Sequence, residues 1–451
     1  MQHRSVRIAA MAAAWIAANA AAQAPWKLTP PATSPATAFG HSIAAHGNLM
    51  VIGDRHAASS EGRVHVYERS GQGWSHSAIL MQPPPRRGST LFGDSVATDG
   101  SRILVGASLA AAKGESDGAA YLYERRGGAW RLAATLSGSF SSAGLSWFGW
   151  AVSISGDRAA IGAWADEVAG VRQGAVYIFT RRGGEWELEA RLTEPGTDRY
   201  GGAVSISGAR IAVGAPLDDA GCPGTDCNAG AVYIYKRTGA GWQLEQRLTP
   251  ETTVAATFGA RVLLDGPDLF VGAPADTGLA ERSGSVHIFR RTGAQWQRRQ
   301  VIISSLGGRN GRFGDSMAQR AGWLAIGAPW EEAGGYVEAG AGYIFEQIDG
   351  AWIERERITA PDAGRRYALG YSTALTSTGV VLGAPGAYRN GAAYLAPLPA
   401  AMGRAGEDGP DLRDIVEFQH LAANNDSRAD LDGSGAIDIE DLLLLLDRID
   451  R

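Results

Sequence analysis

Three groups of residues in this 451-residue chain have the types and spacing to do chemistry. The first is the oxygen-rich run from Asp430 to Asp441. Side chains at its positions 1, 3, 5, 9 and 12 are Asp430, Asp432, Ser434, Asp438 and Asp441, with Gly435 at position 6 and the Ala436 carbonyl at position 7. Clustered hard oxygens around a sharp glycine turn suit one calcium ion. The second group repeats along the chain: Asp166-Glu167, Asp218-Asp219, Asp276 and Glu331-Glu332 stand at one offset after a recurring glycine, and Trp147, Trp164, Trp330 and Tyr336 lie near them. Such a set fits a recognition rim for a basic protein, a bridging cation or a sugar, whose rings stack on aromatics. It also fits solvated loop carboxylates with aromatics tucked inside. The third group is Cys222 and Cys227, which in an oxidising compartment are expected to join and close a short loop, adding about 2 kcal/mol.

Catalytic apparatus is not among them. The sequence holds no H-E-x-x-H pair, no G-x-S-x-G elbow and no phosphate loop, so no enzyme activity is expected. His65 and His287 occupy a slot that holds Tyr177 and Tyr233 elsewhere, which reads as a structural role.

The elements that must position these groups come from a repeat. A four-part pattern returns every 52 to 58 residues, which marks a repeat architecture. It opens with an aromatic-Gly pair: Phe39-Gly40, Phe92-Gly93, Phe148-Gly149, Tyr200-Gly201, Phe258-Gly259 and Phe313-Gly314, with Leu369-Gly370 as the seventh member. Thirteen residues after each pair's glycine comes that of an [IVL]-G-[AD] triplet: Gly53, Gly106, Gly162, Gly214, Gly272, Gly327 or Gly383. A G-x-[VAG]-[YH]-[ILV]-[FY] run and a Trp-led alternating run complete the unit. Alternation about tight turns gives two hairpins, hence four strands, A to D. Seven such units bury their sheet faces only by packing radially, so the fold class is all-β, a seven-bladed β-propeller over residues 25–399. Glycine is needed where blades converge and a Cβ would block backbone approach. Trp74, Trp130, Trp186, Trp242, Trp296 and Trp352 recur in step and are expected to pack between blades. The last unit lacks a Trp-led strand D, and Trp26-Lys27-Leu28-Thr29, aligned with Trp186-Glu187-Leu188, is expected to supply it and close the ring.

These repeats resemble FG-GAP repeats, the units of the integrin α-subunit propeller and of many exported bacterial proteins. Val213-Gly214-Ala215-Pro216, Val271-Gly272-Ala273-Pro274, Ile326-Gly327-Ala328-Pro329 and Leu382-Gly383-Ala384-Pro385 carry the GAP element intact. In integrin-type repeats an acidic loop between strands A and B often holds calcium. Short turns such as Ser155-Gly156-Asp157 and Asp265-Gly266 replace it here, so no blade metal is implied.

Flanking segments set the context. Residues 1–24 pair a basic start with an apolar run ending in small residues, a signal peptide with cleavage expected after Ala22. That run is too short to span a membrane. From Gly403 onward 13 acidic side chains face 5 arginines; that segment carries −8 of the chain's net −5 and leaves +3 elsewhere. Nothing forms a basic stripe, so nucleic acid is excluded as a partner. After a linker at 400–410, residues 411–451 resemble a type I dockerin or EF-hand-like module with one intact calcium loop, since GEDGP at 406–410 lacks the alternating ligands of a second. The resemblance implies a cohesin-like partner and retention outside the cell. The chain therefore reads as a secreted, non-catalytic binding or adhesion protein for an extracellular protein or glycan. A lectin or enzyme of an extracellular polysaccharide-degrading assembly, and a structural surface component, are the alternatives.

Overall fold

In the computed structural model the described residues are 25–399, apart from the short segments 31–37, 72, 85–87, 112–116, 139–144, 195, 220–226, 252–255 and 388–389. The signal peptide, the linker and the calcium-loop module with Asp430, Asp432, Ser434, Ala436, Asp438 and Asp441 lie outside them, as does Cys222. Cys227 is described and is disulfide-bonded.

Seven four-stranded antiparallel sheets form, six with their strands in sequential order from the axis outward and the last with an N-terminal strand on its outer edge. Blade 1 is Phe39–His46, Leu49–Asp54, Arg63–Ser70 and Gly73–Leu80, and blade 3 is Phe148–Ser155, Arg158–Ala163, Ala175–Arg182 and Glu185–Leu192. The second and third strands are almost wholly buried, while the fourth alternates toward solvent, as an outer strand must. Between consecutive blades lie seven apolar clusters, each fed by two neighbours; one of them joins Phe39, Ile43 and Ile52 of blade 1 to Val381 and Ala393 of blade 7. The six repeating tryptophans all pack against such clusters.

Close backbone approach at the axis explains the two fixed glycines. A Cβ built on any triplet glycine would fall on the carbonyl oxygen of the next blade's aromatic-Gly glycine, at 2.0 Å for Gly214 against Gly259 and 2.1 Å for Gly383 against Gly40. The second contact runs from blade 7 back to blade 1, so the ring is closed by the same device throughout. Serine hydroxyls reinforce it: Ser42, Ser95, Ser316 and Ser372 donate to the carbonyls of Gly93, Gly149, Gly370 and Gly40 at 2.7–2.8 Å. Blades 3 to 5 lack those serines, and in blades 3 and 4 Ser153 and Ser205 accept from the amides of Ile206 and Leu264 instead.

Trp26–Leu28 is the outer strand of the last blade, pairing with Ala392–Pro397. Its register differs from the one expected. Lys27 faces Tyr394 and Leu28 faces Ala393, as Arg191 faces Tyr177 and Leu192 faces Val176 in blade 3. The segment therefore corresponds to the end of strand D, not to its Trp-led start. Trp26 is 52% exposed, whereas Leu28 is buried at 6%. The physical reason is side-chain chemistry: Lys27 Nζ reaches Asp362 at 2.5 Å and Tyr394 Oη donates to the same carboxylate at 2.6 Å, a set that only this register assembles.

Candidate ligand-binding site

Strand direction alternates, so the B-to-C and D-to-A loops share one face, at the end of the axial channel where each strand A begins. A cavity of about 320 Å3 lies on the axis. Around it stand His41, Asp94, Trp150, Gly202 and Tyr371, five of the seven residues that directly follow the glycine of an aromatic-Gly pair. Arg261, one position further on, joins them. Asp94 is the electrostatic centre of the mouth: Ser108 Oγ donates to it at 2.5 Å, Arg55 at 3.0 Å, and His41 Nε2 lies at 3.2 Å. Burial alone would raise its pKa, but these partners outweigh burial and hold it below the usual carboxylate range. Burial drives the His41 imidazole downward, against the pull of Asp94, so it is neutral at pH 7. The His41 and Tyr371 rings lie 4.9 Å apart.

Three of the loop carboxylates have a different role from both expectations. Asp166, Asp218 and Glu331 are buried, not displayed on a rim and not solvated. Asp166 accepts from Tyr177 Oη at 2.6 Å and from Arg191 at 3.0 Å, and Arg191 also donates to the Glu167 carbonyl. Glu331 repeats this with Tyr343, Arg357 and the Glu332 carbonyl. Asp218 binds Tyr233 Oη at 2.6 Å and Arg247 at 3.2 Å. Each triad staples a B-to-C loop to strands C and D. Burial, then the adjoining carboxylate, raises Tyr177 and Tyr233 well above the ordinary phenol range. Asp276 sits partly exposed against Ser285 and His287, and Asp219 caps the Asn228 amide. Blades 1, 2 and 7 carry buried Ala57, Ala110 and Ala387 at the same offset. Among the described residues only the Glu167 and Glu332 carboxylates of this series make no side-chain bond, and Glu332 is exposed.

The aromatics divide. Trp147 and Trp164 are partly exposed and form a triangle with Trp150, with ring centroids 5.5, 5.6 and 6.0 Å apart. Arg199 stacks on Trp164 at 4.8 Å. Trp330 stands apart in blade 6, 44% exposed, with Arg312 over its ring. Sequence reasoning brought Trp147 and Trp164 to one face but did not join them to Trp150. Trp147 adopts φ of +58°, and the residue before the aromatic-Gly pair is left-handed in Leu91, Arg199, Thr257, Arg312 and Ala368 as well. None of these is glycine or asparagine, so no residue type announces the turn. Among the described residues no helix is long and apolar enough to cross a membrane.

Residues 87–123, 130–179 and 186–235 match a family model described as FG-GAP repeat. The second and third segments each run from strand D of one blade to strand C of the next. No curated protein matches the chain.

Proposed function

From a seven-bladed β-propeller carrying FG-GAP repeats, we propose an exported, non-catalytic binding protein whose ligand, a saccharide, sits at the channel mouth on the loop face. One observation carries the reading: the Trp147–Trp150–Trp164 triangle, in which Trp150 also lines the axial cavity. Large rings beside a small, polar-lined cavity suit the stacked faces and hydroxyl edges of sugars better than a flat protein surface. The frame is preorganised, because the glycine contacts hold each strand A against its neighbouring blade, with serine bonds in four blades and loop staples in three adding to them without the ligand. The sequence of the tail supports a second role: Asp430, Asp432, Ser434, Asp438, Asp441 and the Ala436 carbonyl hold one calcium, and the module tethers the protein through a cohesin-like partner outside the cell. A glycan array probed with the full chain, with and without calcium, tests the propeller reading. Binding is expected in both conditions and is lost in Trp150→Ala; a blank array for the folded wild-type chain overturns it.

A further inference from the structure

We infer that the channel mouth is an anion site, taking the carboxylate of an acidic sugar on Arg261 while the Trp147–Trp150–Trp164 cluster receives the ring; this rests on the saccharide reading above. Arg261 occupies the second position after the glycine of its aromatic-Gly pair, where the other blades carry Ser42, Ser95, Ala151, Ala203, Ser316 and Ser372. The four serines stitch blades together, and the two alanines show that a methyl group suffices there. Nothing in the construction of the ring calls for a long cation at this one position.

The surroundings of Arg261 then specify the missing partner. Its side chain lines the cavity and is only partly exposed. It donates to the Ala260 carbonyl at 2.9 Å, and among the described residues no carboxylate lies within ion-pairing distance of it. The other charges at the mouth are matched: Arg55 with Asp94 at 3.0 Å, and Arg312 with Asp315 at 3.1 Å. His41 is neutral, and Arg199 is spent on Trp164 as a stacking cation without a carboxylate of its own. Among the described residues the mouth thus carries a positive excess in a partly desolvated setting, where a guanidinium gains most from a forked, charge-assisted bond to a carboxylate. Arg261 is near enough to His41 and Tyr371, on blades 1 and 7, for its charge to act on both. An anion held there is central to the ring. A cavity of about 320 Å3 is at the small end of ligand pockets, which admits a sugar unit and excludes a folded partner.

Calorimetric titration of the full chain with tetragalacturonate, with neutral galactotetraose and with polyglutamate tests this. Tetragalacturonate is expected to bind, galactotetraose at least about 10-fold more weakly, and Arg261→Ala to weaken the acidic sugar about 10- to 100-fold and the neutral one by no more than about 3-fold. Arg261→Ala places in blade 5 the residue type that Ala203 already holds in blade 4, so an unchanged melting temperature is expected and confirms folding. Arg261→Lys is expected to recover part of the affinity. Equal binding of both sugars, or indifference of the acidic one to Arg261→Ala, overturns the anion site and leaves the saccharide reading intact. Binding of polyglutamate as tight as that of tetragalacturonate overturns the role of the sugar ring. No binding by either sugar overturns both.

Discussion

The ring closes through three residues, and their register makes opposite stability predictions from the one that the sequence suggests. If Trp26 occupied the position of Trp186 or Trp352, Trp26→Ala would empty a blade interface and cost about 3–5 kcal/mol. In the structure Trp26 is half exposed and Leu28 is buried beneath the last blade. Trp26→Ala is therefore expected to cost under about 1 kcal/mol, and Leu28→Ala about 2–4 kcal/mol from lost burial and an uncollapsed cavity. Lys27→Met removes a partly exposed partner of Asp362 and is expected to cost about 1 kcal/mol or less. Unfolding entropy of about 2.1 cal/mol/K per residue over some 375 residues makes 3 kcal/mol worth roughly 4 °C in Tm. Differential scanning calorimetry of the three variants resolves that. A larger loss for Trp26→Ala than for Leu28→Ala would refute the register and restore the Trp-led alignment. Deleting residues 25–30 removes all three contributions at once and is expected to exceed any single variant.

Arg191→Met leaves Asp166 buried without its counter-charge and is expected to cost about 3–5 kcal/mol in urea unfolding; adding Asp166→Ala should return at least about 2 kcal/mol, because blades with alanine at that offset need no triad. Burial, with the charges of His76 and Arg63 adding to it, lowers the His65 pKa to about 3. Below about pH 6.5 the unfolded chain takes up a proton that the folded chain refuses, so the stability present above that pH falls by up to about 1.4 kcal/mol per unit down to about pH 3. His65→Tyr, the residue type of the equivalent slot in blade 3, should flatten that slope between pH 6 and 4, and an unchanged slope counts against the assignment. Calorimetric titration of the full chain with calcium is expected to give one ion per chain, lost in Asp432→Asn; uptake that survives in the variant would place the ion elsewhere.

What was legible in the sequence was whatever repeats. Six aromatic-Gly pairs and Leu369-Gly370, at constant distance from seven triplet glycines, set the blade count, because close approach at an axis leaves no choice of residue. The same logic failed at the N-terminus, since tryptophan is a conspicuous residue and Lys27-Leu28-Thr29 is not. The better match was to Arg191-Leu192-Thr193 and Arg247-Leu248-Thr249, where a cation faces a strand-C tyrosine and leucine faces inward. The acidic series was found for the right reason, but the burial of Asp166, Asp218 and Glu331 in loop staples was not legible. A carboxylate recurring at one offset must do something, but the tyrosine and arginine that bury it come from strands 11 to 29 residues further along the chain, and spacing alone does not show that they converge.

The site was the least legible part, and the reason is the way a ring makes one. Repetition identifies residues that serve the scaffold, whereas a binding mouth is built from the positions where equivalent residues differ. His41, Asp94, Trp150, Gly202, Ala260, Asp315 and Tyr371 share one slot and no chemistry, as do Arg261 and the serines and alanines equivalent to it. Seven-fold architecture supplies the same backbone trajectory to each of them, so the axis compares six residue types at seven equivalent positions. An arginine there with a backbone carbonyl but, among the described residues, no carboxylate as partner is a departure that the scaffold does not explain, whereas the missing serines of blades 3 and 4 are each compensated by a neighbouring contact. Uncompensated departure from the repeat is what separates a binding residue from a tolerated one, and by that criterion Arg261 and Trp150 are the two positions at the mouth to test first.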